Sequence, residues 1–333
     1  MNTQHGGRLF AIAAARGWDW RDVLDFSANI NPLGASPLVR PAVEAALGQI
    51  AHYPDSRPAG LLQALAAAWQ AAPEELLLGN GATELIHFLP RVWHGTVTIA
   101  VPAFSEFHRV FPSAAQVPIE DPSTWPHGGM LILTRPVNPT GAMPELRDWL
   151  TSTRNPVLVD ESFLEFTGAP SVRTLAPARP NLYVLRSLTK FYALPGLRLG
   201  ALLGAPAEWH SARDPWSVNT LAAAAGEAAV HDRAHGQRSL ALVRAERAWL
   251  TAATGALPGH QTAESHANYL CVTLPQPARE LQAFLEDRRI LIRDCTGWPG
   301  VTGDRTIRIA VRTHEENQHL MKAWGEFAAC SVA

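Results

Sequence analysis

Two hydrophobic patterns divide the chain. As far as Leu203, short apolar runs recur between glycine, proline and polar residues: Leu76 to Leu78, Thr96 to Val101, Met130 to Thr134, Pro156 to Val159 and Leu182 to Leu185. Runs this short and this unbroken predict strands covered on both faces. Leu9 to Arg16 and Ala59 to Ala71 carry helical spacing instead, and Leu24 to Gly34 alternates apolar with small polar residues, as an extended segment lining something polar would. Beyond Pro215 the pattern changes. Alanine-rich helices are predicted over Thr220 to His231 and Gln237 to Thr254, then a strand over Asn268 to Leu274 and a helix over Ala278 to Arg289. Strands over Ile290 to Arg293 and Thr306 to Val311 and a helix from Glu315 complete a compact α+β layer.

Strand after strand in the first group runs out into a polar residue, which is how an open α/β sheet builds a site at its carboxyl edge. Leu182 to Leu185 leads into Ser187-Leu188-Thr189-Lys190 and, past Pro195-Gly196, to Arg198. A lysine on so stiff a support suits a nucleophilic amine that attacks a carbonyl, and Ser187 and Arg198 beside it suit a phosphate. Leu76 to Leu78 enters Gly79-Asn80-Gly81 and leaves as a helix through Ala82 and Thr83, an anion site made of free backbone N–H groups. Phe104 follows another strand, where its ring can lie against a flat ligand. Asn138 is fixed between Pro136 and Pro139, and Asp160 ends an apolar strand, where a carboxylate needs a cationic partner. Arg308 is likewise a charge within an apolar strand and needs an anion. Tyr53, held extended by Pro54, can point away from its own subunit.

Composition removes several classes. The 333 residues are 47% hydrophobic and 17% charged, as in a soluble globular protein, and the formal net charge of -2 leaves no footprint for nucleic acid. Three cysteines without metal spacing, an N-terminus lacking a signal peptide's apolar core and no run long enough to span a bilayer point to a cytoplasmic protein without a metal.

Over nearly the whole chain these motifs resemble the fold-type I pyridoxal 5'-phosphate (PLP) aminotransferases, especially the histidinol-phosphate aminotransferase group. The resemblance implies an α/β fold: a large domain with a mostly parallel seven-stranded sheet plus a smaller α+β domain. Residues 1–50 would form an N-terminal arm and small-domain segment, 51–225 the PLP-binding domain and 226–333 the small C-terminal domain. It further implies that Gly81, Ala82 and Thr83 hold the PLP phosphate with Ser187 and Arg198, that Phe104 stacks on the ring and that Asn138 meets its phenolic oxygen. Asp160 would pair with the pyridine nitrogen, Lys190 would link covalently to the cofactor, and Tyr53 would reach the phosphate of the neighbouring subunit in a homodimer.

Two departures sharpen the reading. Phe163 stands where the aminotransferases usually carry a tyrosine. His5-Gly6-Gly7 together with Leu24 to Gly34 resembles the threonine-phosphate decarboxylases of cobalamin synthesis. Either family implies a phosphorylated amino-acid substrate, met here by His5, Gly6, Asn29, Asn138, Arg293 and Arg308. The bond set perpendicular to the cofactor ring is the one that breaks. A carboxylate held in plane by Arg308 implies amino transfer, and one turned out of plane implies loss of CO2. The N-terminal segment favours decarboxylation, with a histidinol-phosphate or related aminotransferase as the alternative. The intact Lys190 and Asp160 speak against a non-catalytic PLP-binding protein.

Overall fold

The computed structural model describes residues 6–175 and 179–332. Its strands are β1 (Leu24–Asp25), β2 (Leu76–Gly79), β3 (Val97–Val101), β4 (Ala115–Pro118), β5 (Met130–Thr134), β6 (Val157–Asp160), β7 (Leu182–Ser187), β8 (Gly200–Leu203), β9 (Gln261–Thr262), β10 (Tyr269–Thr273), β11 (Ile290–Leu291), β12 (Arg293–Asp294) and β13 (Thr306–Ala310). Seven of them form one sheet in the order β2-β8-β7-β6-β5-β3-β4. The pairs from β7 through β4 are parallel, and β8 runs antiparallel to both β7 and β2.

Every residue of β5, β6 and β7 is buried, which is why these strands read as unbroken apolar runs. Alternate residues face opposite cores. Leu131, Leu133, Val157 and Val159 pack with the helix Ala59–Trp69, and Ile132 and Leu158 pack with the helix Ala82–Val92. The chain passes from β3 outward to β4 and then returns to the other side of β3 as β5, so the strand order reverses between β3 and β5. A crevice at the carboxyl ends of strands follows from that reversal.

The smaller layer is a four-stranded antiparallel sheet, β12-β13-β10-β9, backed by the helices Arg233–Gly255, Ala278–Glu286 and His314–Val332. Trp324, Leu250, Leu270, Leu281 and Phe26 form its core. Phe26 belongs to the N-terminal stretch, which β1 ties to this layer by parallel pairing with β11.

Two expectations are corrected. Only Leu24–Asp25 of the stretch to Gly34 is strand, because Asp25 and Ser27 turn the chain: Asp25 Oδ1 accepts from the Ser27 N–H at 2.8 Å and from its hydroxyl at 2.6 Å. The single strand expected over Ile290 to Arg293 is two, β11 serving β1 and β12 serving β13, with Ile292 crossing between the sheets. Among the described residues no helix is long and apolar enough to cross a membrane and no cluster could hold a metal ion.

Gly200 sets how closely β8 can approach the turn after β2. A Cβ on Gly200 would stand 2.4 Å from the Ala82 nitrogen and 2.7 Å from the Gly81 carbonyl carbon, whereas one on Gly196 would meet nothing within 4 Å. Gly200→Ala is therefore expected to lower unfolding free energy by about 1–3 kcal/mol in urea titration, with Gly196→Ala near wild type. Equal stability of the two variants would refute the close approach.

Candidate active site

The crevice at the strand reversal opens into a cavity of about 820 Å³. It collects side chains from both layers: Thr83, Phe104, Asn138, Asp160 and Lys190 from the large sheet, and Arg293 and Arg308 from the small one. Gly6, Asn29, Ala82, Ser187 and Arg198 also line it. His5 lies outside the described residues. Tyr53 does not reach this cavity: it is 79% exposed and stacks on Trp216 at 4.3 Å between ring centroids.

Lys190 lies in the turn after β7, three residues past its last strand position. The cations of Arg308 and Arg198 join burial in lowering its amine from 10.5 to about 8, with burial the larger cause. Asp160 ends β6, its Oδ1 taken by the Ser162 N–H at 2.9 Å and hydroxyl at 2.5 Å. Burial raises its carboxyl from 3.8 to about 6 despite these bonds and the nearby Lys190. Glu161, fully buried behind it, is matched by Arg186 at 3.0 Å and by the Ser171 hydroxyl at 2.6 Å.

The turn after β2 has the form read from the sequence. Gly81 adopts φ 82°, and a Cβ there would lie 2.6 Å from Arg198 Nη2, so only glycine admits the guanidinium to the N-terminus of the helix Ala82–Val92. The first N–H groups of such a helix have no partner within it, and they favour an anion beside that guanidinium. The Ser187 hydroxyl is 2.7 Å from that of Thr189, a cavity residue that the sequence reading passed over.

On the opposite wall, Arg308 donates through Nη1 to Asn138 Oδ1 at 2.7 Å and through Nη2 to the Ser27 carbonyl at 2.8 Å. Asn138 is thereby oriented with its amide nitrogen free of that bond. Arg293 and Arg308 both lie over the indole of Trp298, at 5.4 and 5.6 Å, and no carboxylate among the described residues forms an ion pair with either. The side chain of Asn29 is buried with both amide atoms unpartnered, which marks a place prepared for a polar ligand. Trp298 went unread because it stands in the irregular stretch Thr296 to Gly300, where no period signals it. Phe163 fills the tyrosine position, and the phenol of Tyr269 packs edge-on against it at 5.0 Å while donating to the Val137 carbonyl.

A buried amine of lowered pKa, a buried carboxyl awaiting a cation and a phosphate-sized cradle, set on a seven-stranded α/β sheet, define a PLP-dependent enzyme of fold type I. The chain belongs to the class I and II aminotransferase family, whose model matches residues 120–323. A threonine-phosphate decarboxylase of Salmonella typhimurium is 36% identical over 97% of this chain and 96% of its own. A histidinol-phosphate aminotransferase of Symbiobacterium thermophilum is 33% identical over 91% of this chain and 90% of its own. The structure of histidinol-phosphate aminotransferase from Sinorhizobium meliloti in complex with pyridoxal-5'-phosphate superposes with TM-score 0.83 at 21% identity, covering 97% of this chain and 95% of that one.

The pKa of Asp160 lies above its value in the unfolded chain, so the native state keeps a proton that the unfolded chain releases between pH 3.8 and about 6. Stability contributed by the protonated acid is present at low pH and lost as pH rises through that window, a deficit of about 3 kcal/mol at neutrality. In the cofactor-free protein Asp160→Asn should therefore unfold at higher urea than wild type at pH 7, with a flatter stability profile between pH 4 and 6. A variant less stable than wild type at pH 7 would contradict the assignment.

Proposed function

We propose that this chain is a PLP-dependent decarboxylase that converts L-threonine O-3-phosphate to (R)-1-amino-2-propanol O-2-phosphate in cobalamin synthesis. The observation that carries this reading is the seat of the N-terminal arm. Gly7 donates to the Ser27 hydroxyl at 3.1 Å, and Gly6 passes so near the Ser27 carbonyl that a Cβ would fall 2.3 Å from its oxygen and 3.5 Å from Arg308 Nη2. The described start of the arm whose sequence resembles the decarboxylases thus lies against Ser27 and beside Arg308.

The residues fit the cofactor. Lys190 would hold it covalently, Asp160 would keep its ring nitrogen protonated, Phe104 would cover its face and the Asn138 amide would donate to its phenolic oxygen. Gly81, Ala82, Thr83, Ser187 and Arg198 would bind its phosphate. Bound there, PLP supplies an electron sink for the pair released at the substrate's α-carbon. Arg293 and Arg308, neither in an ion pair among the described residues, bring two guanidinium groups to one cavity, which suits a substrate with a phosphate and a carboxylate. Asn29, Gly6 and His5 would complete the phosphate side. With Arg308 held by Asn138 and Ser27, the phosphate anchored at Arg293 and the arm would set the carboxylate's angle to the ring. Lys190 would then place a proton on the α-carbon.

The alternative is a histidinol-phosphate or related aminotransferase, which the 33% identical relative supports. Incubation with L-threonine O-3-phosphate in the absence of any 2-oxo acid separates the two: sustained CO2 release with aminopropanol phosphate as product is expected. An absolute requirement for a 2-oxo acid would select the aminotransferase.

The arm predicts a second outcome. Removing residues 1–8 should raise KM for the phosphorylated substrate by about 10-fold or more while PLP affinity changes little. An unchanged KM would reduce the arm to a tail.

Tyr53 further suggests a homodimer with shared sites, since exposed Ile50 and Leu47 flank it on a surface otherwise open to water. Lys190→Ala is expected to be inactive and Tyr53→Ala weakened. Mixed and refolded together they should exceed the sum of their activities, because one site of the mixed dimer is intact. No gain on mixing would count against the shared site.

A further inference from the structure

Arg293 and Arg308 line the same cavity but are held in different ways. Arg308 is fixed by its hydrogen bonds to Asn138 Oδ1 and the Ser27 carbonyl. The Arg293 guanidinium forms no hydrogen bond and no ion pair among the described residues, and its Nε is buried without a partner. What lies against it is the indole of Trp298, with 5.4 Å between guanidinium carbon and ring centroid, and the Arg308 guanidinium stands 5.6 Å from the same ring. Two like charges thus share one aromatic side chain.

The ring itself is anchored. Trp298 is buried, and its N–H donates at 2.8 Å to the carbonyl of Ala103, the residue just before Phe104. Two residues further on, a Cβ on Gly300 would stand 2.8 Å from Val101 Cβ and 2.9 Å from the Pro102 nitrogen, so this stretch is pressed against the end of β3. The indole therefore follows the small layer in sequence and is fastened to the large layer by contact. A carboxylate in its place would neutralise Arg293 and occupy the N–H groups that a ligand needs. An indole attracts the cation through its ring quadrupole and leaves those donors free.

We propose that Trp298 is a positioning residue: it holds the Arg293 guanidinium in a fixed place relative to Arg308 and Phe104, and so favours ligands carrying a second anion over those carrying a carboxylate alone. The inference rests on the reading that Arg293 receives the substrate's phosphate. Arg308 does not depend on the ring in the same way, because its two hydrogen bonds do not involve the indole. The cost of losing the ring therefore falls on phosphate recognition.

The test reads binding to the holoenzyme by rapid mixing, from the absorbance change of the bound cofactor on adding L-threonine O-3-phosphate or L-threonine, a signal independent of which bond breaks afterwards. Trp298→Leu should raise Kd for the phosphorylated amino acid by about 10-fold, with Kd for L-threonine and kcat for CO2 release close to wild type. Trp298→Phe gives up the bond to Ala103 as well but keeps an aromatic face, and should stay within about 3-fold of wild type. In an Arg293→Gln background, Trp298→Leu should have no further effect, because the ring acts through that guanidinium. PLP affinity of the cofactor-free variants should match wild type, and Trp298→Met supplies the same comparison where Trp298→Leu does not fold. Equal losses in Trp298→Leu and Trp298→Phe, equal weakening of L-threonine, or an undiminished loss in the Arg293→Gln background overturns the proposal. An Arg293→Gln variant that binds L-threonine O-3-phosphate as wild type does overturns the phosphate assignment and the proposal with it. CO2 release by wild type, scored separately, decides the decarboxylase reading and does not enter the comparison.

Discussion

Burial of Asp160 and Lys190 in one wall is the constraint from which the rest of the site follows. Strands β6 and β7 are covered on both faces, so the groups at and just beyond their ends lose water without gaining enough partners to replace it. The acid is driven up to about 6 and the amine down to about 8. Neither shift stabilises the fold; both are kept because a functional site commonly stores unfavourable electrostatics that the surrounding core can support. Beside Asp160 the core holds Glu161, whose charge Arg186 matches at 3.0 Å although it still adds to the rise at Asp160.

The layers divide the electrostatic labour. The large sheet presents an amine, an acid and a helix N-terminus, while the small one presents two arginines that form no ion pair among the described residues. Arg308 is held from three directions: by its strand, by Asn138 of the large layer and by Ser27 of the N-terminal stretch. A guanidinium so fixed has little freedom left to adapt to a ligand.

Much of this was legible in the sequence where a local rule governs. Gly79-Asn80-Gly81 between an apolar run and a helix allows few conformations, and the structure shows the positive φ at Gly81 that the turn requires. Asp160 could be read because an ionisable residue ending a buried strand is costly. Long-range geometry was less legible. The division of Ile290 to Arg293 depends on β1, more than two hundred residues away in the chain, and no local period records that partner. Trp298 escaped for the same reason: it is ordinary on its own stretch and becomes informative only across elements.

The sheet's one antiparallel neighbour of β7 has a mechanical consequence. Because β8 runs back beside β7, the segment from Leu188 to Leu199 is a closed loop, latched by the Leu188 N–H to the Leu199 carbonyl at 3.1 Å, rather than a crossover helix. Lys190 and Arg198 sit on the two limbs of that loop, and Arg198 enters it at φ 61°. On the proposed assignment a cofactor would be tethered covalently to one limb and by its phosphate to the other, like a bead held between the sides of a clasp. Opening the clasp would mean unzipping the central sheet, so the spacing of the two tethers is set by the folded core rather than by the motion of any surface segment.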